Sequence, residues 1–431
     1  MSQGDSGSGA AGGVGPIARR EARLAYTMLL PTVIIVMAIV LLPLAANLWI
    51  SFKPVGIADL RPPALVANER LRGDLEAVGD EATLQYRLRN SSRDTPLANA
   101  RLEDVWPEGL EPIDLDKRCT LEGGSLACAL GDYEAGGRDE LEIAVRASEA
   151  YIANKVNPRD SEPVTGADAP NILANFQFTL DNYRGVFDSD EFLTVLWVTI
   201  AYTLFGTLGA LVLGVVAAQL LNHEFRGRSI LRGLYLFPYV APVIAMAFTW
   251  LVLFDPFSGA INAMLARMDI TSEPVNFFGS RMVPVDVFGF TFGFPLALAM
   301  VIAFEAWRYF PLSFLFILAR MQSIPTDMYE AADMDGATPF QKFFRLSLPQ
   351  IFGILAVLFL LRFIWTFNKF DDIFLLTGGA AGTRTLTVDV YYQGFAIGNL
   401  GAGAAVAVVI FVMLLLFALA YFRALPKGEG L

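Results

Sequence analysis

Ionisable side chains interrupt two of the most apolar stretches of this chain. Glu305 and Arg308 are three residues apart, so on a helix they share one face and can form an ion pair. Arg362 lies in the second stretch, which ends in the sequence FNKFDDIF. Because exposing a charge to lipid is costly, such residues either mark a functional site or form ion pairs that fix helix packing. We expect the packing role for Glu305 and Arg308.

The sequence contains no set of residues typical of an enzyme active site. Its only histidine, His223, lies in the polar stretch LNHEFRGRS and is expected to be a surface or interface residue. One histidine and two cysteines do not suffice for a metal site built from those ligands. The GxxxxGK[ST] loop that binds nucleotide phosphates does not occur either. We therefore predict no catalytic residue, no metal and no cofactor.

The composition is that of a membrane protein. Hydrophobic residues make up 55% of the 431 residues, charged residues make up 17%, and the mean hydropathy is +0.49. A helix needs about 20 apolar residues to cross a bilayer. Six segments meet this length: 27–50, 191–221, 231–254, 292–320, 350–376 and 397–421.

The basic residues between the spans predict the orientation of the chain. They flank the first span on its N-terminal side, separate the second from the third, and follow the fourth and the sixth: Arg19, Arg20, Arg23, Arg226, Arg228, Arg232, Lys342, Arg345, Arg423 and Lys427. Since such residues concentrate on the cytoplasmic side, we expect both termini there, as tails of residues 1–26 and 422–431.

Residues 51–175 are predicted to form a separate domain outside the cytoplasm. The stretches ATLQYRLRN and DELEIAVRA alternate apolar and polar residues with the period of two that indicates half-buried strands. Sequences such as NSSRDTP and EAGGRDE separate the strands and are typical of turns. The pattern predicts an all-β sandwich, and it resembles the immunoglobulin-like repeat domains of bacterial surface proteins.

Both cysteines of the protein, Cys119 and Cys128, lie in this predicted outside domain. They flank the turn sequence EGGS, so they are candidate neighbours across a hairpin, and oxidising conditions outside the cytoplasm permit a disulfide. The alternative is a pair of reduced, partly buried thiols.

Residues 323–349 form a polar stretch between two apolar spans and predict two short helices. Ser323 and Pro325 are suited to the start of the first helix, and Gly336 to its left-handed end. Thr338, Pro339 and Gln341 are then a capping box for the second helix. On these grounds alone the stretch is as well explained by an ordinary cytoplasmic loop.

A resemblance to a known family gives this stretch a specific role. The sequence YEAADMDGATPFQKFFRLSLPQI resembles the EAA loop of the membrane subunits of ATP-binding-cassette importers, in spacing and in its place before the penultimate span. The first span, LDNYRGVF at 180–187, the region of the third span and LLTGGAAGTRTLTVDVYYQGF also resemble the carbohydrate branch of that family, the maltose and α-glucoside type. The implied fold is an α-helical polytopic membrane protein of type I importer permease fold, with a permease core at 176–421.

The resemblance implies how the protein would work. The EAA helix would act as a coupling helix that docks on a cytoplasmic ATPase, with Glu330 facing a basic residue of that partner. The residues with this implied role are Glu330, Ala331, Ala332, Gly336, Leu346 and Pro349. The implied partners are two ATPase subunits, which use the ATP, a second permease, an external sugar-binding protein and membrane lipid, but no nucleic acid. The implied location is the bacterial inner membrane.

The same resemblance suggests a substrate and its path. The implied cargo is a sugar, such as an oligosaccharide or an α-glucoside like maltose or trehalose. Aromatic and planar polar side chains of the fourth and fifth spans are the candidates for contacting it: Trp307, Tyr309, Trp365, Phe367, Asn368 and Asp371. Another small solute, such as a polyamine or a phosphate ester, remains an alternative, and so does a membrane-anchored envelope-assembly protein whose sandwich is the working part.

Overall fold

The architecture is taken from a computed structural model that describes residues 16–93, 95–154 and 161–424. The chain divides into two compact units, of which one contains Lys53–Thr194 and Val388–Gly403 and the other contains the rest. The helices are α1 (Pro16–Val36), α2 (Leu42–Ser51), α3 (Glu149–Asn154), α4 (Asp181–Phe187), α5 (Phe192–Asn222), α6 (Arg228–Tyr235), α7 (Phe237–Val240), α8 (Val243–Leu253), α9 (Ala260–Arg267), α10 (Leu296–Gln322), α11 (Thr326–Met334), α12 (Pro339–Lys342), α13 (Leu348–Phe367), α14 (Asp371–Thr377), α15 (Leu386–Tyr391) and α16 (Leu400–Ala424).

Within these described ranges, five helical segments are long and apolar enough to cross a bilayer: Arg23–Ser51, Phe192–Asn222, Leu296–Gln322, Pro339–Phe367 and Leu400–Ala424. Two of them contain a π-helical turn, Met37–Leu41 between α1 and α2, and Phe343–Ser347 between α12 and α13. The first helix already begins at Pro16, within the predicted tail. Residues 1–15 and 425–431 lie outside the described part of the chain.

The predicted third span, 231–254, is not one straight helix. It consists of Arg228–Val240 and Val243–Leu253, which meet at an angle of 94°. Pro242 explains the break, because it has no N–H to donate and it forces the preceding residue out of the helical region. Ala241 accordingly has an extended backbone with ψ of 147°. Counting the bent pair as one span gives six.

The predicted fifth span, 350–376, is also wrong at its end. Helix α13 stops at Phe367, and α14 starts as a separate helix at Asp371. The intervening sequence NKF contains Asn368, a poor helix former that hydrogen-bonds backbone groups locally, here the Ile364 carbonyl at 2.9 Å. The polar FNKFDDIF stretch is therefore a break between two helices.

Eight strands between Leu65 and Asp168 form two four-stranded antiparallel sheets, ordered β1-β2-β7-β4 and β5-β6-β3-β8. The stretch ATLQYRLRN lies in β2 and DELEIAVRA in β7, and the two pair so that Leu84 opposes Ile143 and Tyr86 opposes Leu141. One hydrophobic cluster contains buried residues of both sheets. The strands are β1 (Leu65–Arg72), β2 (Glu81–Asn90), β3 (Leu97–Val105), β4 (Leu110–Asp114), β5 (Cys119–Glu122), β6 (Ser125–Tyr133), β7 (Arg138–Ala147) and β8 (Val164–Asp168).

A tyrosine and a carboxylate form a polar contact inside this cluster. The Tyr86 hydroxyl donates to Asp104 Oδ2 at 2.7 Å, and both residues are buried. Burial, and then the negative charges of Glu69 and Asp104, raise the pKa of the Tyr86 hydroxyl above its ordinary value. The hydroxyl therefore stays protonated and supplies the hydrogen bond that a buried carboxylate requires.

A buried lysine holds the two ends of this sandwich segment together. Lys53 follows α2 in sequence and is fully buried, and its Nζ donates to the Asn175 Oδ1 at 2.9 Å and to the Asn175 carbonyl. The Asn182 side chain donates to the Lys53 carbonyl at 2.8 Å, and Gly401 N–H donates to the Val55 carbonyl at 2.9 Å. The chain therefore leaves for the sandwich and returns from it at one place.

A separate two-stranded antiparallel hairpin precedes α10. It pairs β9 (Val283–Val287) with β10 (Phe290–Phe294). The Ala297 N–H donates to the Ser280 carbonyl at 3.2 Å, which closes the base of the hairpin at the start of α10. The last three residues of this hairpin, 292–294, overlap the start of the predicted fourth span (292–320), so that span begins four residues later than predicted, at Leu296.

The structure joins Cys119 on β5 to Cys128 on β6 by a disulfide, and the two residues pair directly in the sheet. We predict that replacing both with alanine lowers the free energy of unfolding of the sandwich by about 2–3 kcal/mol, because the cross-link restricts the unfolded chain. Limited proteolysis of the full-length protein measures this change through cleavage within residues 65–168. Thr120→Ala, an exposed neighbour, is the control, and equal protease resistance of all three proteins would contradict the prediction.

Candidate functional site

A buried ion pair connects α10 to α13. Glu305 and Arg362 are 0% and 1% exposed, and the Arg362 guanidinium donates to Glu305 Oε1. Thr366, one turn after Arg362, donates to the same oxygen at 2.9 Å. Tyr202 on α5 donates to Glu305 Oε2 at 3.0 Å. Both carboxylate oxygens are therefore satisfied, and one acidic side chain joins three membrane helices.

The close approach of α5 to α10 requires a glycine. A Cβ added at Gly206 would lie 2.9 Å from Glu305 Cγ, closer than real Cβ atoms approach a neighbour. Similar contacts apply at Gly209, where a Cβ would lie 2.8 Å from Ala306 Cβ, and at Gly214, 2.7 Å from Ser313 Cβ. Small residues of this kind let membrane helices pack at short distance.

A second group of charges surrounds the break between α13 and α14. Lys369 donates to the Tyr309 hydroxyl and lies 3.2 Å from an Asp371 carboxylate oxygen and 3.8 Å from one of Asp372. The Tyr309 ring also faces Arg362, whose guanidinium carbon is 4.4 Å from the ring centroid. Tyr309 thus connects this group to the buried ion pair.

Glu305 does not pair with Arg308, as their spacing would have allowed, but the expected packing role holds for Glu305 through its ion pair with Arg362 on another helix. Arg308 donates instead to the carbonyls of Pro238 and Ala241, each at 3.0 Å. These carbonyls lie at the bend between α7 and α8, where the helical hydrogen bonds are interrupted. Because no water satisfies backbone groups inside a bilayer, Arg308 supplies the missing donors and stabilises the bent span.

The candidate substrate-path residues do not form one surface. Tyr309 and Asp371 meet through Lys369. Trp307 packs on Trp250, with ring centroids 5.4 Å apart, and Phe367 is 4% exposed. Trp365, in contrast, is 48% exposed, and Asn368 is also exposed and bonded to its own helix. Geometry therefore brings together only Tyr309 and Asp371 and adds Lys369, Arg362 and Tyr202 to them.

The polar loop of residues 323–349 is a helix, a tight turn and a second helix. Ser323 belongs to the end of α10, where its hydroxyl donates to the Arg320 carbonyl, so α11 begins only at Thr326. Gly336 has a φ of 73°, which favours glycine, and ends that helix. Thr338 and Gln341 form the predicted capping box at the start of α12.

Side-chain contacts fix the angle between these helices and connect them to α13. Lys342 Nζ lies 2.7 Å from Asp333 Oδ1, an ion pair between α12 and α11. The Tyr329 and Ser347 hydroxyls are 2.9 Å apart, and Ser347 lies in the π-helical turn at the base of α13. These contacts connect α11 to α12 and to the base of α13, and we call this arrangement of residues 326–347 the braced elbow.

One side of this elbow is open for a partner. Glu330 and Ala331 are exposed, whereas Ala332 and Leu346 are half-buried and Pro349 is exposed. Two large apolar side chains extend into solvent beside them, Met334 with 88% exposure and Phe340 with 78%. Exposed methionine and aromatic side chains are enriched at protein–protein interfaces, where polar groups surround them, so this surface has the composition of a docking surface.

Three residues that surround Glu305 and Tyr309 were not assigned a role in the sequence analysis. Tyr202 and Thr366 are polar residues in apolar helices, and that polarity was their only signal. Lys369 was noticed as one of several polar residues, without a role. Across the described ranges, no group of three or more His, Cys, Asp or Glu is placed to hold a metal ion.

The chain is similar in sequence to known transport proteins. Residues 210–426 match the family described as binding-protein-dependent transport system inner membrane component. The inner membrane ABC transporter permease protein YcjO of Escherichia coli is 35% identical over 245 residues, which are 57% of this chain and 78% of that protein. The trehalose/maltose transport system permease protein MalF of Thermococcus litoralis is 33% identical over the same shares of the two chains.

Two further relatives extend the comparison. The sn-glycerol-3-phosphate transport system permease protein UgpA of Salmonella choleraesuis is 30% identical, again over 57% of this chain and 78% of that protein. Among solved structures, a chain of a bacterial alginate ABC transporter, in complex with an alginate pentasaccharide-bound periplasmic protein, superposes with a TM-score of 0.50 at 21% identity. The superposition covers 56% of this chain and 81% of that chain. It confirms the predicted type I permease fold.

The buried ion pair gives a direct prediction about stability. Glu305→Gln leaves Arg362 as an uncompensated buried charge, and we expect the free energy of unfolding to fall by about 3–5 kcal/mol. Adding Arg362→Met should recover a large part of the loss. Thermal unfolding of the purified protein in lipid nanodiscs measures both effects. Glu224→Gln, at an exposed carboxylate, is the control, and a double variant less stable than Glu305→Gln alone would contradict the prediction.

Proposed function

Because this chain belongs to the family of binding-protein-dependent transport system inner membrane components, we propose that it is the permease subunit of an ATP-driven importer for a sugar. The braced elbow of α11 and α12 carries the proposal. It presents the EAA sequence on an exposed surface and connects it rigidly to a membrane helix. A protein that only anchored the sandwich to the membrane would have no use for such an element.

We assign the ATPase-coupling role to Glu330, Ala331, Ala332, Gly336, Leu346 and Pro349. Glu330 is available for an ion pair with a basic residue of the ATPase, because its side chain is exposed. Ala331 allows close approach of the partner, and Gly336 permits the tight turn. Half-buried Ala332 and Leu346 support the elbow from within, while Met334 and Phe340 add apolar contact area.

The transporter would contain further subunits. We propose two copies of a cytoplasmic ATPase, a second permease and an external binding protein that delivers the sugar. The sequence has no GxxxxGK[ST] loop, so ATP would be used by the partners. With the basic segments inside, both termini are cytoplasmic and the sandwich is extracytoplasmic, in a bacterial inner membrane.

The proposed cargo is an oligosaccharide or an α-glucoside such as maltose or trehalose, and the relative named as a trehalose/maltose permease supports this class. The side chains around Tyr309 fit an uncharged cargo because their formal charges balance: three are basic, Arg308, Arg362 and Lys369, and three are acidic, Glu305, Asp371 and Asp372. A phosphate ester is the second candidate, because another relative is named for sn-glycerol-3-phosphate. Uptake assays with both classes, using the cognate binding protein, decide between them.

We predict that Glu330→Lys abolishes coupling while leaving the fold intact. The charge reversal would oppose a basic partner residue, so uptake should fall at least about tenfold, which corresponds to 1.4 kcal/mol of lost interaction. Substrate-stimulated ATP hydrolysis should fall with it, whereas membrane expression and thermal stability should not change. Glu224→Lys is the matched control, since Glu224 is exposed and lies on the same predicted side. Normal uptake by the Glu330→Lys complex would count against the proposal.

Removing the sandwich separates the proposed function from that of an envelope-assembly protein. A short Gly/Ser linker in place of residues 62–170 leaves Lys53 and Asn175 to hold the two ends together, so we expect a folded protein that retains most of its uptake activity. Radiolabelled uptake in cells measures the outcome. The same deletion with Lys53→Met should be less stable than the deletion alone, because it removes the hydrogen bonds between Lys53 and Asn175. Complete loss of uptake by a correctly folded deletion variant would favour the sandwich as the working part.

A further inference from the structure

The hairpin of β9 and β10 has two chemically different faces. Directly opposed residues of an antiparallel pair lie on the same face of the ribbon. The pairs Val283 with Phe294 and Val285 with Phe292 therefore share one face, and they are wholly apolar. The pairs Pro284 with Gly293 and Asp286 with Thr291 make up the other. Thr291 donates a hydrogen bond to Asp286, so the only charge of the hairpin is engaged on that polar face.

Within the described part of the chain, the apolar face is only partly covered. Phe290 is 80% exposed, Phe292 is 47% exposed and Phe294 is 38% exposed. A two-stranded hairpin is at best marginally stable in water without a packed face. The aromatic face therefore needs an apolar environment that the rest of the described chain does not supply.

The tip of the hairpin also requires an apolar environment. Phe288 and Gly289 have φ values of 51° and 84°, which fit a type I′ turn, a turn that prefers Asn, Asp or Gly at both central positions. A phenylalanine in the left-handed region costs about 1–2 kcal/mol, and Phe288 is 99% exposed. An aromatic side chain at this position has no benefit in water but gains from transfer into an apolar phase.

The position of the hairpin indicates that the apolar phase is the lipid bilayer. Its base is bonded to the start of α10, a helix that crosses the bilayer, through Ala297 and Ser280. The base of the hairpin therefore lies at the end of a membrane-crossing helix, where the chain enters the bilayer. The apolar face contains no polar group that would fix the register of a protein partner, and lipid requires none.

We propose that this hairpin is a membrane-surface element whose apolar face and Phe288 tip insert into the interfacial region of the bilayer. The ribbon would lie along the membrane plane with Asp286 and Thr291 towards water, as amphipathic interfacial segments do. The leaflet is the outer one if the proposed orientation holds. The insertion would fix the start of α10 at the level of the lipid head groups.

Site-directed spin labelling of the full transporter in phospholipid nanodiscs tests the proposal. The two cysteines of the chain are joined in a disulfide, so within this chain a label attaches only at an introduced cysteine, and the transporter without an introduced cysteine gives the background from its other subunits. We expect Phe290→Cys and Phe292→Cys to give high collision rates with oxygen, which concentrates in lipid, and low rates with a water-soluble nickel chelate. Thr291→Cys and Pro284→Cys, on the polar face, should give the opposite ratio, several-fold different. Phe288→Cys at the tip provides an independent lipid-facing site if a strand variant fails to fold.

Two results would overturn the proposal. Equal access of the nickel chelate to both faces would show that the hairpin projects into water. Exclusion of both oxygen and the chelate from positions 290 and 292 would show that another protein covers the apolar face. Only lipid access that alternates with a period of two along the strands supports insertion.

Discussion

The membrane unit depends on the cost of keeping Glu305 and Arg362 away from water. Removing an ion from water costs several kcal/mol in a protein interior, and the loss is offset only when the partner and additional hydrogen bonds are accurately placed. Tyr202 and Thr366 provide those bonds from α5 and α13. The same constraint requires Gly206, since a side chain there would push Glu305 from its position. The hydrogen bonds and the ion pair of one carboxylate thus hold three helices in one arrangement.

In the bent span, backbone groups likewise require hydrogen-bond partners away from water. Pro242 breaks the helix and leaves carbonyls at the bend without helical donors, which is costly inside a bilayer. Arg308 satisfies two of them from a neighbouring helix. Two basic residues thus serve different acceptors, Arg362 a carboxylate and Arg308 the main chain, although both guanidinium groups lie within 6 Å of the Tyr309 ring centroid.

Local patterns predicted much of this fold. Hydropathy located six apolar segments, alternation located β2 and β7, and Thr338 with Gln341 predicted a cap that the structure contains. Partners distant in sequence were not predictable in this way. The spacing of Glu305 and Arg308 shows that they share a helix face, but it does not show which neighbouring helix each side chain meets. Arg362 is 57 residues from Glu305, and Pro238 is 70 residues from Arg308. The bend itself had a visible signal in Pro242, which hydropathy alone does not register.

The π-helical turn Phe343–Ser347 has a consequence for how the elbow is oriented. A π turn holds one residue more than an α turn of the same height, and one residue corresponds to about 100° of rotation around a helix axis. The extra residue therefore sets the phase between the elbow and the buried face of α13 that carries Arg362. Loss of one residue at this point would leave the membrane spans intact, yet it would turn the elbow by about 100° relative to α13. The direction in which the elbow faces is thus set by the five residues of the π turn.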